Sequence, residues 1–386
     1  MISNRGPAPP KAEWDRPPWN RWSFQHVGEI LPTVELSRGN RPPRVLPRAE
    51  QNLDALMVAE VDGQPTTLAV FLDQTYTDGF LVLKRGAIIH ERYFNGMDER
   101  TLHLSQSLAK SFTGVLAGIL VGRRLIDVNA QITDILPELQ STAYRGATLR
   151  HVLDMASGER FTEDYTDPLS DMGRADVASG WKPVPAGGDP AQWPRTMFDL
   201  ILSLKTLEQP HGNRFAYRSI ETDLLAFVLE RASGKRLPQL LSAEIWQKLG
   251  MEQNANMTVD PAGYALADGG LSACLRDYAR FGQMILEHGA GIVPADWIEA
   301  TRSGEHALFR EPYTAVLPDG AYRNQFWIED SLSRNLMARG VFGQLIHIDF
   351  ARNIVVVKLS SWPEFVNAQW TKVTLDAVHR IGDALS

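Results

Sequence analysis

A serine and a lysine three residues apart, Ser107 and Lys110, are the pair in this sequence best suited to covalent chemistry. Residues at positions i and i+3 share one face of a helix, so the hydroxyl and the amine would point into the same space. A neutral lysine can act as the base toward such a serine. Burial can lower the pKa of a lysine from ~10.4 to ~7, where it is an effective base at neutral pH. The alternative is a helix cap beside a surface lysine.

The segment around Lys110 favours the chemical interpretation. Its apolar side chains recur at helical spacing, at Phe112, Val115, Leu116, Ile119 and Leu120. Two glycines, Gly114 and Gly118, permit close packing with neighbouring segments. A buried, unpaired charge is costly, so a single lysine that faces inward from such a helix needs a reason. Activation of Ser107 would supply one.

Two other segments carry groups that a serine nucleophile could use. Tyr217 and Ser219 lie just before an apolar helical segment, which places a phenol and a hydroxyl close together. The alternative for Tyr217 is a half-buried structural ring. Late in the chain, Gly340 and Gly343 interrupt a predicted strand, which indicates close approach of the backbone to another segment. Backbone amides there could form an oxyanion hole, and a simple strand end is the alternative.

Composition excludes several classes of protein. The chain has 386 residues, 44% of them hydrophobic, which suits two or three folded units and argues against disorder. The net charge is −7 without a basic patch, so we expect no nucleic-acid partner. The single cysteine, Cys274, rules out an internal disulfide, and its apolar neighbours predict a buried, inert thiol.

The sequence also indicates where in the cell the protein is expected. The stretch 1–10 is polar and proline-rich, unlike a secretory signal. The most lipid-like stretch, 112–121, is far shorter than the ~20 residues that a membrane span requires. We therefore expect a cytoplasmic protein without a membrane partner.

Periodicity predicts a hairpin, a helical stretch, a second group of strands and a terminal helix. The hairpin comprises 80–83, a turn at 84–86, and 87–93. Helical spacing is found at 105–124, 149–155, 197–204, 221–232, 237–249, 275–288 and 368–384. The late strands are predicted at 325–328, 336–342, 345–349 and 354–359.

This order predicts an α+β protein whose sheet takes strands from both ends of the chain. We assign 51–100 and 310–386 to a discontinuous sheet domain and 101–309 to a mainly helical domain. The active site is expected in the cleft between them. Residues 1–50 are rich in proline and contain three tryptophans, Trp14, Trp19 and Trp22, which predict an extended arm packed on the body.

Other catalytic patterns are absent from the sequence. It contains no His-Glu-x-x-His pattern, no Gly-x-Ser-x-Gly elbow and no glycine-rich phosphate loop. His347 and Asp349 on a late strand are more often structural than metal-binding. We therefore predict neither a metal nor a cofactor.

The order Ser107-x-x-Lys110, Tyr217-x-Ser219 and a glycine-bearing late strand resembles the three motifs of β-lactamases and penicillin-binding proteins. The tyrosine in the second motif is similar to the class C and family VIII esterase branch. The resemblance implies a β-lactamase-like fold, in which an antiparallel sheet is flanked by helices and a mainly helical domain is inserted. It also implies that Ser107 is the nucleophile and that Lys110 and Tyr217 handle protons.

More specific strings resemble the nylon-oligomer hydrolases, which cleave 6-aminohexanoate dimer: 19–22, 163–168 and 358–363. This resemblance implies an oxyanion hole formed by the backbone amides of Ser107 and Val341. The implied substrate-binding residues are Tyr165, Asp176, Ser219, Asp268 and Trp327. A carboxylate at Asp176 would attract a substrate with a free ammonium group, and Asp268 would add to the same field. The resemblance also leaves a homodimer open.

The sequence departs from the family at the third motif. True β-lactamases begin this motif with a lysine, whereas this chain has Ala338, Arg339 and Gly340. Arg339 could partly substitute for that lysine. The expected function is therefore hydrolysis of a linear amide through an acyl-enzyme. The alternatives are a short-chain carboxylesterase or weak β-lactamase on the same fold, or a non-catalytic sensor that is acylated by its ligand.

Overall fold

The computed structural model describes residues 8–61 and 64–386 and shows the predicted α+β architecture. The strands are β1 (Thr33–Leu36), β2 (Met57–Val61), β3 (Gln64–Thr67), β4 (Thr77–Lys84), β5 (Ala87–Tyr93), β6 (His103–Leu104), β7 (Ala255–Thr258), β8 (Leu271–Ala273), β9 (Ala321–Arg323), β10 (Phe326–Ile328), β11 (Leu336–Gly340), β12 (Gln344–Asp349) and β13 (Ile354–Ser360). The helices are α1 (Asn20–Ser23), α2 (Leu68–Gln74), α3 (Ala109–Gly122), α4 (Ile132–Ile135), α5 (Leu149–Leu153), α6 (Asp171–Ala178), α7 (Met197–Ser203), α8 (Ile220–Ser233), α9 (Leu237–Leu241), α10 (Gln247–Leu249), α11 (Leu275–Leu286), α12 (Ala295–Thr301) and α13 (Ala368–Ala384).

The main sheet has seven antiparallel strands in the order β5-β4-β13-β12-β11-β10-β9. The predicted hairpin is β4 and β5, which close with Lys84 opposite Ala87. β4 also pairs with β13, from Lys84 opposite Ile354 to Thr77 opposite Ser360. Strands that are distant in sequence therefore share one sheet, and most of the helices lie between them along the chain. Smaller sheets have the orders β1-β7-β8-β6 and β2-β3.

The main sheet is buried on both faces, which explains the continuous apolar runs in its central strands. Successive side chains of a strand point to opposite faces. In β4, Phe80 and Val82 belong to one core cluster with Val378 of α13. Leu81 belongs to the other cluster with Phe281 of α11. The terminal helix and α11 thus cover opposite faces of the sheet.

Helix α3 is buried along almost its whole length: residues 109–120 are all buried from solvent. A Cβ atom at Gly114 would lie 2.2 Å from the carbonyl oxygen of Asn324, so only glycine allows this close packing. The predicted helix at 237–249 is divided into α9, a π-helical turn at Ser242–Trp246, and α10. Trp246, at the end of that wider turn, is buried against Phe112.

The described part of the N-terminal segment contains only α1, a short 3-10 turn and β1. Trp14 is buried, and its indole nitrogen donates to the carbonyl oxygen of Trp181 at 3.1 Å. Trp22, in contrast, is 40% exposed and stacks on His26. Residues 1–7 of the predicted arm lie outside the described residues, and the limits of the three predicted domains remain a prediction.

Two smaller expectations can be compared with the structure. Cys274 is a buried free thiol, and burial raises its pKa well above the usual value, as expected for an inert side chain. Within the described ranges, no helix is both long enough and apolar enough to cross a bilayer.

Candidate active site

Ser107 lies in a 3-10 turn, Gln106–Leu108, that leads directly into α3. The sequence predicts a helix from residue 105, but the α-helix begins only at Ala109. Gln106 explains the difference, because its φ of 50° is in the left-handed region and is incompatible with a continuous helix. This strained residue turns the backbone immediately before Ser107, which lines a cleft.

Lys110 is buried one turn further along and points at Ser107. Its Nζ donates to Ser107 Oγ at 2.9 Å and to the carbonyl oxygen of Asp268 at 2.6 Å. Burial by itself would lower the pKa of Lys110, but the negative charges of Tyr217 and Asp268 outweigh burial and raise that pKa.

Tyr217 lies on the loop before α8, as predicted, with its ring beside Lys110. Lys110 Nζ is 5.3 Å from the ring centroid. Burial raises the pKa of Tyr217, although contacts with Lys110 and Ser107 act in the opposite direction. Lys110 and Tyr217 therefore titrate as a coupled pair. Its backbone amide donates to the hydroxyl of Tyr313 at 2.8 Å, and its ring stacks on Trp327 with centroids 5.3 Å apart.

Ser219 and Tyr165 are joined by a carboxylate that the sequence analysis did not identify, Glu163. This side chain accepts the Ser219 hydroxyl in a very short hydrogen bond, the Ser219 amide at 2.9 Å and the Tyr165 hydroxyl at 2.7 Å. Both Ser219 and Tyr165 line the cleft. Glu163 therefore fixes two polar groups of the cleft wall. Glu163 opens the string 163–168 that resembles the nylon-oligomer hydrolases, but its contact with a residue 56 positions away cannot be predicted from spacing.

The end of β11 packs against the chain that leads to Ser107. A Cβ atom at Gly340 would lie 2.5 Å from the carbonyl oxygen of Ser105, which is the close approach that the glycine predicts. Val341 follows and lines the cleft together with Ser107. The side chain of Gln344 holds this turn, because its Nε2 donates to the carbonyl oxygens of Val341 and Phe342, at 3.3 Å each. The oxyanion-hole role of the two backbone amides remains a prediction.

Asp176 and Asp268 both line the cleft, but they differ in their partners. Asp176 is paired with Lys182, which sequence analysis did not identify: Lys182 Nζ lies 2.8 Å from Asp176 and 3.0 Å from Asp15. Two carboxylates and one ammonium leave this group with a net charge of −1. Burial raises the pKa of Asp176 to about 6, against the opposing effect of Lys182. Asp176 is thus not a free carboxylate.

Asp268 is an acidic group close to Lys110. Its Oδ2 lies 3.9 Å from Lys110 Nζ, and its Oδ1 is buried without a hydrogen-bond partner. Burial raises the pKa of Asp268 to about 6, although Lys110 opposes that rise. Asp223 holds the segment that carries Asp268 in place, because it accepts a hydrogen bond from the backbone amide of Ala267 at 2.8 Å. A carboxylate that lines a cleft is suited to receive a cationic group.

Arg339 directly follows Ala338, which stands in place of the lysine that opens the third motif. Its guanidinium carbon is 5.0 Å from the centroid of Trp327, so these two residues form a cation–π contact. Burial lowers the pKa of Arg339 to about 10, and the side chain stays cationic at neutral pH. Arg339 thus adds a positive charge on the Tyr217 and Trp327 side of the site.

Comparison with known proteins agrees with this arrangement. A family model described as β-lactamase matches residues 69–378. The chain is 35% identical over 364 residues to the 6-aminohexanoate-dimer hydrolase of Paenarthrobacter ureafaciens, covering 92% of this chain and 89% of that protein. The predicted resemblance to that group is therefore confirmed.

Solved structures give the same result for the fold. A structure from Bacillus anthracis, provisionally named 6-aminohexanoate-dimer hydrolase, superposes with a TM-score of 0.88 at 30% identity and covers 97% of this chain and 96% of its own. EstCE1, described as a hydrolase with promiscuous acyltransferase activity, has a TM-score of 0.62 at 17% identity, over 81% of this chain and 98% of its own, and shows the fold alone. The chain belongs to the β-lactamase family and is a hydrolase with amidase or esterase activity.

Proposed function

We propose that this hydrolase cleaves linear amides with a free amino terminus, such as 6-aminohexanoate dimer, through an acyl-enzyme on Ser107. The observation that carries the proposal is the 2.9 Å contact between Lys110 Nζ and Ser107 Oγ at the cleft. Tyr217 completes the group, because both side chains are in contact with it. A nucleophile within hydrogen-bonding reach of proton-handling groups is the arrangement that covalent acyl transfer requires.

The proposed reaction has two stages. Ser107 Oγ attacks the amide carbon and gives its proton to the Lys110–Tyr217 pair. The tetrahedral oxyanion accepts hydrogen bonds from the backbone amides of Ser107 and Val341. The C–N bond then breaks as the pair returns the proton to the leaving amine. In the second stage, the pair takes a proton from a water molecule that attacks the acyl ester. It then gives this proton to Ser107 Oγ as the ester C–O bond breaks, and the free acid leaves.

The charge of the cleft supports an amino-terminated substrate. Asp15, Asp176 and Asp268 line it, and Lys182 neutralises only one of these carboxylates. The carboxylate of Asp268 and the net negative Asp15–Lys182–Asp176 group would both attract an ammonium ion. A charge-assisted hydrogen bond contributes about 1.5–3 kcal/mol, which corresponds to about 10–150-fold in affinity.

The test of the proposal compares 6-aminohexanoate dimer with its N-acetyl derivative, which has the same amide and lacks the ammonium group. We expect the enzyme to hydrolyse the free-amine dimer with a kcat/KM at least about tenfold higher. p-Nitrophenyl acetate and a chromogenic cephalosporin complete the panel. Rapid ester turnover without amide cleavage would instead support the carboxylesterase alternative, and a stable acyl adduct without turnover would support the sensor.

The replacement Asp176→Asn should raise KM for 6-aminohexanoate dimer by about tenfold, the lower end of the range for a charged hydrogen bond, because Lys182 already neutralises part of the field. Asparagine keeps the shape of the side chain, and Lys182 retains Asp15 as its partner. KM for the N-acetyl dimer, measured in parallel, should stay unchanged. Equal changes for both substrates would mean that Asp176 does not recognise the ammonium group.

The dependence of KM on pH should show the same recognition without a mutation. Asp176 and Asp268 both have a pKa of about 6, so each is charged above that pH and protonated below it. Between about pH 7.5 and about pH 5, a carboxylate of this pKa loses about nine-tenths of its charge. KM for the free-amine dimer should therefore rise about tenfold or more on acidification. A parallel rise for the N-acetyl dimer would contradict this explanation.

A further inference from the structure

Three side chains converge at a place that takes no part in the Ser107 cleft. Glu329 follows β10, His347 lies on β12 and His379 lies on α13. Glu329 Oε2 is 2.9 Å from His347 Nε2, and its Oε1 is 2.6 Å from His379 Nε2. One nitrogen or oxygen atom from each of the three side chains lies within 4.8 Å of the other two. None of these residues lines the cleft. We call them the Glu329–His347–His379 cluster.

We propose that this cluster binds one divalent transition-metal ion, and that Zn²⁺ is the ion whose preferences it fits best. Two imidazoles and one carboxylate are a borderline donor set, which suits Zn²⁺ better than the all-oxygen sites preferred by Mg²⁺ or Ca²⁺. Three protein ligands with a fourth position for water is a common arrangement for this ion.

The three ligand atoms lie within 4.8 Å of one another, so the site must adjust to hold an ion. A tetrahedral Zn²⁺ ion with bonds of about 2.0–2.2 Å holds its ligand atoms about 3.3–3.5 Å apart. The two carboxylate–imidazole distances are 2.9 and 2.6 Å, as for hydrogen bonds, so each imidazole would have to move back by less than about 1 Å. The ion would take the place of the imidazole protons that lie between these nitrogens and oxygens.

The cluster is buried at His347 and Glu329 and accessible to solvent at His379. His347 is fully buried and Glu329 is 7% exposed, whereas 43% of the His379 side chain is accessible. The ion and its water ligand can therefore enter past His379. Asn335 orients the carboxylate, since its Nδ2 donates to Glu329 Oε2 at 3.3 Å and its Oδ1 accepts the amide of Phe350 at 3.4 Å. Partners of this kind are typical around metal ligands.

The ligands come from elements that are distant in sequence, so a bound ion would cross-link the terminal helix to the sheet. Glu329 lies one residue beyond β10, the strand that carries Trp327, and His379 lies in the final helix. The expected role is structural, separate from hydrolysis. Binding to the folded chain alone stabilises that chain in proportion to the free ion concentration.

The experiment is calorimetric titration of the EDTA-treated full chain with ZnCl₂. We expect one ion per chain with a dissociation constant in the micromolar range or tighter, and an increase in Tm. Replacing Zn²⁺ by Co²⁺ should produce the visible absorption of a four-coordinate site. The variant His379→Ala should weaken binding by at least about 100-fold, since even outer-shell partners contribute about 10–100-fold.

His379→Ala is expected to fold, because the side chain is partly exposed and alanine has the highest helix propensity. Its p-nitrophenyl acetate hydrolysis without metal should equal that of the unmodified chain. The matched control is His288→Ala, an exposed histidine that contacts the single carboxylate of Glu299 at 3.2 Å, and it should keep full Zn²⁺ binding. The absence of saturable binding, or equal binding by His379→Ala, would show that the cluster only forms hydrogen bonds.

Discussion

Replacing Ser107 by alanine should abolish turnover of every substrate, with a loss on the order of 10⁶ in kcat, as for nucleophile removal in a serine protease. The reason is that the covalent stage disappears, while the Lys110–Tyr217 pair remains without a nucleophile to activate. The fold should persist, since Ser107 lies at the cleft and its hydroxyl interacts with the catalytic side chain of Lys110 rather than with the core. Release of 6-aminohexanoate measured by mass spectrometry gives the rate, and thermal unfolding monitors the fold.

Covalent labelling adds a second measurement to this prediction. A fluorophosphonate probe should add one label per chain, and peptide mapping should locate it on Ser107. The matched control is Ser111→Ala, on the same helix, where the hydroxyl donates to the carbonyl oxygen of Gln325 at 2.8 Å. That variant should label fully. Substantial activity in Ser107→Ala, or a label on another serine, would exclude the proposed nucleophile.

Local patterns in the sequence were enough to place Ser107 and Lys110 on one side of a buried helix. The i and i+3 relation survives the change from an α-helix to a 3-10 turn, because both bring residues three apart to one face. The start of the helix could not be predicted in the same way. It depends on the left-handed backbone of Gln106, which is held by packing of Gly340 against Ser105 and Gln106. This contact joins segments more than 200 residues apart.

The partners of the acidic residues also depend on the tertiary fold. The sequence shows Asp176 in an acidic stretch, but spacing does not reveal that Lys182 binds both Asp176 and Asp15. Asp15 comes from the N-terminal segment, and its position is fixed only when that segment packs on the body. The charge of the cleft therefore follows from three segments that meet in space. For the same reason, the resemblance implies a substrate-binding carboxylate at Asp176 but does not reveal that this carboxylate is already paired with Lys182.

The Glu329–His347–His379 cluster shows the same limit for metal ligands. Short motifs such as His-Glu-x-x-His place two ligands on one helix, so they can be found in sequence. Here each ligand comes from a different element, with separations of 18 and 32 residues along the chain that match no motif. The absence of a metal motif therefore excludes only sites built within one element.

Replacing Tyr217 by phenylalanine should slow amide hydrolysis by about 10²–10⁴, the range for removal of a general acid–base group. Hydrolysis of p-nitrophenyl acetate should fall much less, because nitrophenolate leaves without a proton whereas an amine must be protonated. Phenylalanine keeps the ring that stacks on Trp327. The control Tyr264→Phe removes a hydroxyl outside the cleft, from a ring that packs on Phe227, and should leave both rates unchanged.

The pH profile distinguishes this role of Tyr217 from simple positioning. The pKa of Tyr217 is raised by burial, and the pKa of Lys110 is raised because the effects of Tyr217 and Asp268 outweigh its burial, so the two groups form one coupled pair that titrates above neutrality. It must release one proton before it can accept the Ser107 proton. The rate of acylation should therefore rise with pH above neutrality, with an apparent pKa that belongs to the pair. Tyr217→Phe should shift this alkaline limb, since only Lys110 then titrates. An unchanged limb together with equal losses for amide and ester would assign the proton transfer to Lys110 alone.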